Sequence, residues 1–324
     1  MSATMMSRLR FCGIMLLTQH FLLPLRVIRV LLTNRCSPFE LTREFCKITG
    51  VELILSGRSK KPSSERKTMY LCNHRSWADF VIDSVLTSGS TYLARYLVAF
   101  FLPWSFIYSQ LTGNIMFFRR KRGINRAELS RWMAAKWSSH CGLLVYPEGT
   151  RNQRMRSLPL KTGVLDAALH IGCPVQCVIT TNKENVLDET RMKAQSGVRC
   201  RVSYSRVVDA ASFRGRRKAF FDEVQNAWDE AWNDAYARQS PKLTSNDDDD
   251  DHHRDIHLSL SSSDNPPGKT IVPRGVDPYY GPPNAILAWA LRAALILAVF
   301  KACRSPWFRM MVAMMKRGKN KMLR

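Results

Sequence analysis

The stretch Cys72-Asn73-His74-Arg75-Ser76-Trp77-Ala78-Asp79 sets a histidine five residues ahead of an aspartate within an otherwise apolar region. An imidazole beside a carboxylate can draw a proton from a hydroxyl near neutral pH, because the carboxylate fixes the tautomer and stabilises the imidazolium that forms. His74 is thus a candidate base and Asp79 its orienter. Positions five apart lie about 140° apart around a helix of 3.6 residues per turn, so the two side chains meet only where a turn runs into a helix. The apolar run Met69-Tyr70-Leu71-Cys72 just before them reads as a short strand, which supplies that geometry. On spacing alone, a helix cap beside a satisfied histidine explains the pair more readily than catalysis does.

Further blocks follow downstream: Gly113-Asn114-Ile115-Met116-Phe117-Phe118-Arg119, Tyr146-Pro147-Glu148-Gly149-Thr150-Arg151, Leu160-Lys161-Thr162-Gly163 and Cys173-Pro174-Val175. In order and spacing these resemble the glycerolipid acyltransferases, the family that includes the 1-acylglycerol-3-phosphate acyltransferases. The resemblance runs from about Met69 to Thr180, and the blocks around Asn73-His74 with Asp79 and around Glu148 to Arg151 are its specific parts. Two positions depart from the common pattern: Phe118 stands where a polar residue often precedes the arginine, and Cys177 where a second proline is often found.

The resemblance implies transfer of a fatty acyl group from acyl-coenzyme A to the free hydroxyl of a lysophospholipid, most simply 1-acylglycerol-3-phosphate, giving phosphatidic acid. The alternative acceptors are another lysophospholipid or a glycerol phosphate. His74 would take the hydroxyl proton while Asp79 orients it, and the deprotonated alcohol would attack the thioester without an acyl-enzyme. Arg119 and Arg151 match the family's phosphate-contacting positions, and an arginine fork suits phosphate oxygens. Glu148 would hold the loop, Gly149 would let backbone approach the ligand, and Thr150 would support the turn. Lys161 would add charge near the acceptor or the coenzyme phosphates. Asn73, Gly113, Gly163 and Pro174 complete the motif as structural residues. Neither metal nor prosthetic group is implied, and acyl-coenzyme A is a co-substrate. Cys72 is not expected to be a nucleophile, because an apolar strand end raises a thiol's pKa.

Across 324 residues, 49 Lys and Arg stand against 26 Asp and Glu, a formal charge of +23, which calls for an anionic partner. The charge flanks apolar segments, as in a polybasic stretch beside an anionic membrane surface. No zinc-finger spacing, ribonucleoprotein signature or basic region running into heptads points to nucleic acid. Nine scattered cysteines fit reduced thiols better than a disulfide framework, and Cys173 with Cys177 lacks the further ligands of a metal site. A non-catalytic basic membrane scaffold would explain the charge but gives no reason to keep both His74 and Asp79. Oligomeric state is not legible.

Elements to position these residues can be read in turn. Residues 1–55 form an N-terminal membrane-associating helical region, whose apolar run from Phe11 to Leu25 is short for a spanning helix and suits an interfacial or re-entrant one. Residues 56–238 form the acyltransferase domain with a polar leading linker. Its strands and helices alternate, which argues a single α/β domain with a mixed sheet flanked by helices. Cys141 to Tyr146 reads as a buried strand, putting Glu148 to Arg151 on the loop at its carboxyl end, where ligands of open α/β sheets gather. Leu129, Trp132, Met133 and Trp137 share a helical face expected to be buried, and Phe220 to Tyr236 form a closing amphipathic helix. Residues 239–284, with the acidic run Asp247 to Asp251, are too polar to order themselves. Residues 285–324 are an apolar helix and a polybasic tail. Together these features suggest an endoplasmic reticulum or other internal membrane, with the catalytic domain facing the cytosol.

Overall fold

The computed structural model describes residues 2–35, 38–56, 58–60, 67–87, 90–95, 102–112, 115–118, 126–139, 142–237, 256–258 and 284–304. Helix α1 (Ala3–Leu16) passes through a π-helical turn (Leu17–Leu22) into α2 (Leu23–Thr33). Pro24 in the first turn of α2 lacks an N–H and crowds the carbonyl four residues back, and the wider π turn relieves that crowding. There follow α3 (Pro38–Thr49), β1 (Glu52–Leu55), β2 (Thr68–Cys72), α4 (Ala78–Leu86), β3 (Thr91–Arg95), α5 (Pro103–Thr112), β4 (Ile115–Phe118) and α6 (Arg126–Ser139). Next come β5 (Gly142–Val145), α7 (Thr162–Ile171), β6 (Pro174–Thr180), the single turn α8 (Lys183–Val186), β7 (Leu187–Asp188) and β8 (Lys193–Ala194). The described chain ends with β9 (Arg199–Tyr204), β10 (Val208–Asp209), α9 (Arg217–Tyr236), β11 (Ile256–Leu258) and α10 (Ala285–Arg304).

The main sheet has the order β11-β1-β9-β6-β2-β5-β3-β4, with β10 pairing on β6. From β6 to β4 the strands run parallel; β9 is antiparallel to β6, and β1 runs parallel to β9. Residues alternate between the two faces along each strand, and both faces are covered, so the parallel strands read as unbroken apolar runs. Met69 and Leu71 meet Leu165, Phe220, Val224 and Trp228 from α7 and α9. Tyr70 and Cys72 face the other way, with Ile82, Val85 and Leu86 of α4 and Phe45 of α3.

The N-terminal helix also joins this second layer. Phe11 and Ile14 of α1 are buried there, and the Ser7 hydroxyl both donates to the Ala194 carbonyl at 3.1 Å and accepts from the Ala194 N–H at 3.2 Å. The α1-to-α2 stretch, Ala3–Thr33, is long and apolar enough to cross a membrane by length and composition. Its outer face exposes Leu9, Leu16, Phe21, Leu25 and Leu32. A third cluster joins Leu23, Val27, Val30 and Leu31 of α2 to Tyr108 and Leu111 of α5 and Ala288 of α10. Arg292, a cation in the middle of the apolar α10, donates to the Leu31 carbonyl at 2.7 Å and to Asn34 Oδ1 at 3.0 Å. Carbonyls in a helix's last turn lack intrahelical donors and carry partial negative charge, so the guanidinium is satisfied where α2 ends.

Three expectations are corrected. Glu52–Leu55, placed by sequence with the N-terminal region, is a strand of the domain's own sheet, because Leu53 is buried and pairs beside Cys200 of β9. Ile256–Leu258, inside the segment read as too polar to order, pairs antiparallel with β1. An apolar-polar-apolar triplet suffices for an open edge when the sheet supplies the backbone partners. Trp132 is 44% exposed, and the buried face of α6 is carried by Met133 with Leu129 and Trp137. The rest of the acidic segment and the polybasic tail after Arg304 lie outside the described residues.

Candidate active site

Three adjacent parallel strands end together: β2 runs into Asn73 to Ser76, β5 into Tyr146 to Arg151, and β6 into Thr181 to Lys183. The chain turns after β2 and enters α4 with Asp79 in its first turn, the turn-into-helix geometry that lets positions five apart meet. His74 Nδ1 lies 2.6 Å from Asp79 Oδ2. The same oxygen accepts the backbone N–H of Ser76 at 3.1 Å and that of Arg75. The carboxylate is therefore locked by the same turn that carries the histidine it contacts. The His74 ring stacks on Tyr146 at 4.5 Å between centroids and meets Phe80 edge-on at 6.1 Å, which fixes its plane. Its side chain is 18% exposed, enough to reach a substrate, while Asp79 is fully buried.

Behind Asp79 lies an ionic cluster. Lys183 Nζ donates to Asp83 Oδ1 at 2.9 Å, to Asp83 Oδ2 at 2.8 Å and to the Asn73 carbonyl at 2.7 Å, and stands 3.7 Å from Asp79 Oδ1. All three ionisable side chains are fully buried. Burial alone would raise the Asp79 pKa, but the Lys183 charge and the His74 contacts outweigh it and hold this carboxyl below its ordinary value. Asp83 is pushed up to about 7, by burial first and despite Lys183, with the Asp79 charge adding to the rise. Burial also drives the Cys72 thiol well above its ordinary pKa, so it remains a packing residue.

The second loop is braced from the first. Glu148 is buried; it accepts the His74 N–H at 3.4 Å, Asn152 Nδ2 at 2.7 Å and the Leu158 N–H at 3.3 Å. Burial raises its pKa, against these donors. The Asn152 N–H returns to the His74 carbonyl at 2.7 Å. Gly149 has φ +68°, a left-handed conformation, and a side chain there would press on Lys161 Cγ at 3.3 Å. Gly149, Thr150, Arg151 and Lys161 are exposed on the same rim as His74. Arg151 forms an ion pair with Glu189, whose other oxygen accepts the Trp77 N–H at 3.0 Å.

The sequence-derived residues thus divide. His74, Asp79, Glu148, Gly149, Thr150, Arg151 and Lys161 gather at one end of the sheet. Asn73 clamps that end, exchanging hydrogen bonds with the Thr180 carbonyl at 3.0 Å and N–H at 2.9 Å. Gly163 lies in the first turn of α7 with open space around it, and Pro174 opens β6 at the opposite end of the sheet. Gly113 and Arg119 lie outside the described residues.

Sequence reasoning missed Lys183, Asp83, Arg75, Tyr146 and Glu189. Asp83 had a signal, since it sits one turn after Asp79 on the same face of an apolar helix. Arg75 looked interchangeable, yet its buried guanidinium pairs with Glu184, donates to the Tyr236 hydroxyl at 2.7 Å, and reaches the carbonyls of Asn152, Gln153 and Arg154. Nothing in its spacing from those residues announced that.

Comparison with known proteins bears on this arrangement. Residues 52–181 match the family model described as Acyltransferase. The chain is 27% identical over 125 residues to a 1-acyl-sn-glycerol-3-phosphate acyltransferase of Haemophilus influenzae, covering 39% of this chain and 52% of that protein. It is 29% identical over 133 residues to the enzyme of the same name from Escherichia coli, covering 39% and 54%. The chain therefore spans about half the length of the curated relatives it matches. The crystal structure of the 1-acyl-sn-glycerophosphate acyltransferase from Thermotoga maritima shares the fold, with a TM-score of 0.57 over 74% of this chain and 98% of that one at 15% identity.

Proposed function

We propose that the protein, whose residues 52–181 match the Acyltransferase family model, moves a fatty acyl group from acyl-coenzyme A to the free hydroxyl of 1-acylglycerol-3-phosphate, yielding phosphatidic acid for phospholipid synthesis. The observation that carries the reading is the 2.6 Å contact of His74 with a buried, ionised Asp79 on the rim shared with Arg151. With its Nδ1–H donated in a hydrogen bond to Asp79, which keeps its charge, the ring presents Nε2 as the base. As the acceptor hydroxyl attacks the thioester carbon, Nε2 takes its proton and Asp79 stabilises the imidazolium. Collapse of the tetrahedral intermediate expels the thiol of coenzyme A, and the imidazolium returns the proton to it. Arg151 and Lys161 hold the acceptor phosphate, assisted by Arg119.

The apolar helix Ala3–Thr33 and the apolar α10 support attachment to a membrane, which is where a lysophospholipid resides. We place the protein on the endoplasmic reticulum or another internal membrane, its catalytic rim facing the cytosolic acyl-coenzyme A pool. The position of the positive charge, flanking apolar segments, favours an anionic lipid surface over nucleic acid as partner.

The test is acyl transfer by membranes carrying the wild type or His74→Ala, with 1-acylglycerol-3-phosphate as acceptor and a lysophosphatidylcholine control. The wild type is expected to form phosphatidic acid. His74→Ala is expected to lose about 10²- to 10⁴-fold in rate while remaining folded, the range associated with a positioned acid-base group. Undiminished activity in the variant would remove His74 from the mechanism.

A further inference from the structure

Arg151 has a counter-ion that its proposed work does not explain. The guanidinium is 39% exposed and lies against Glu189, whose side chain is only 10% exposed. Glu189 cannot simply swing away. It sits just beyond β7, in the turn between β7 and β8, its Oε2 accepts the Trp77 N–H, and β8 is clasped to α1 through Ser7. Its Oε1 faces Arg151 Nη1 in the ion pair, so that nitrogen is turned to the carboxylate. Arg151 therefore meets a ligand with much of its charge cancelled by a fixed carboxylate.

We propose that Glu189 is a specificity-determining residue of the acceptor site, resting on the acceptor reading of Arg151 given above. A phosphate bound to Arg151 acquires Glu189 as a like-charged neighbour. The repulsion is greatest for a phosphate monoester that carries two negative charges. It is least for a headgroup whose phosphate bears its own ammonium, because that cation can lie against the carboxylate. An element that works against one ligand sets selectivity as surely as one that attracts another. Glu189 thus weakens binding of 1-acylglycerol-3-phosphate and narrows the gap to zwitterionic lysophospholipids.

Glu189→Gln keeps the shape and the acceptor for the Trp77 N–H while removing the charge, and Glu189→Ala removes both. The experiment measures equilibrium binding of short-chain lysophosphatidic acid and short-chain lysophosphatidylethanolamine, both monomeric in solution, to the full-length wild type and to Glu189→Gln, Glu189→Ala and Arg151→Gln. Binding needs no turnover, so it reads the acceptor site directly. Glu189→Gln is expected to tighten lysophosphatidic acid at least fivefold and to change lysophosphatidylethanolamine less than twofold. Equal tightening of both lipids, or none, overturns the proposal. Weaker binding in Glu189→Ala with no change in Glu189→Gln also overturns it and makes Glu189 a mere brace for Arg151. If Arg151→Gln binds both lipids like the wild type, the acceptor reading of Arg151 itself fails, and this proposal with it.

Discussion

At the scale of single residues, the site is a chain of charges that hold one another in place. His74 leans on Asp79, Asp79 on Lys183, and Lys183 on Asp83, with the last three fully buried. The outermost link has a measurable signature. Asp83 has its folded-state pKa raised to about 7 by burial, well above the ordinary carboxyl value near 3.9. A carboxyl whose folded pKa is raised lends stability in its protonated form. That contribution is complete below about pH 4 and is lost as pH climbs through about 7. Asp83→Asn is expected to flatten this decline. Denaturant unfolding at pH 5 and pH 8 should show a smaller difference between the two pH values in the variant than in the wild type. The meeting of His74 with Asp79 was legible in the sequence, because an imidazole and a carboxylate at this spacing next to a strand have few geometries available. Lys183 was not, because it is brought to Asp79 by strand pairing across more than a hundred residues and by the left-handed conformation of Asn182, φ 60°.

At the scale of elements, apolar runs and amphipathic spacing located β2, β5 and α9 correctly, since burial on both faces or on one stripe leaves a mark in the sequence. What the pattern could not give was the orientation of a large residue at the edge of a stripe, as Trp132 demonstrates, or an edge strand as short as β11. The loop after β5 carries the most exacting backbone requirement at the site. Gly149→Ala forces a side chain into the left-handed region, at a cost of about 1–2 kcal/mol, and presses on the Lys161 side chain. Thermal unfolding should register that loss, and acceptor KM should rise as Arg151 and Lys161 shift. Gly163→Ala in the first turn of α7 has open space and is the matched control, expected to leave acceptor KM unchanged.

At the scale of the molecule, the mixed sheet brings to one end residues that lie far apart along the chain, and the fold shared with the Thermotoga maritima enzyme has that sheet at its centre. The α/β class was readable because strands and helices alternate. The strand order was not, since β1 joins the sheet by pairing with β9, about 150 residues later, and no local pattern encodes such a partner.

The clasp between Ser7 and Ala194 also joins two properties that are usually studied apart. The helix with the greasy outer face is fastened to the β7–β8 hairpin, and that hairpin carries Glu189. Cutting away residues 2–33 to obtain a detergent-free protein would strip Phe11 and Ile14 from beneath the sheet and unhook β8, while leaving His74 and Asp79 intact. Such a truncated form is expected to keep its turnover number near that of the full chain and to show an altered acceptor KM, measurable with monomeric short-chain acceptors that make no demand on membrane attachment. The segment would then be a component of the proposed acceptor selectivity as well as of membrane attachment.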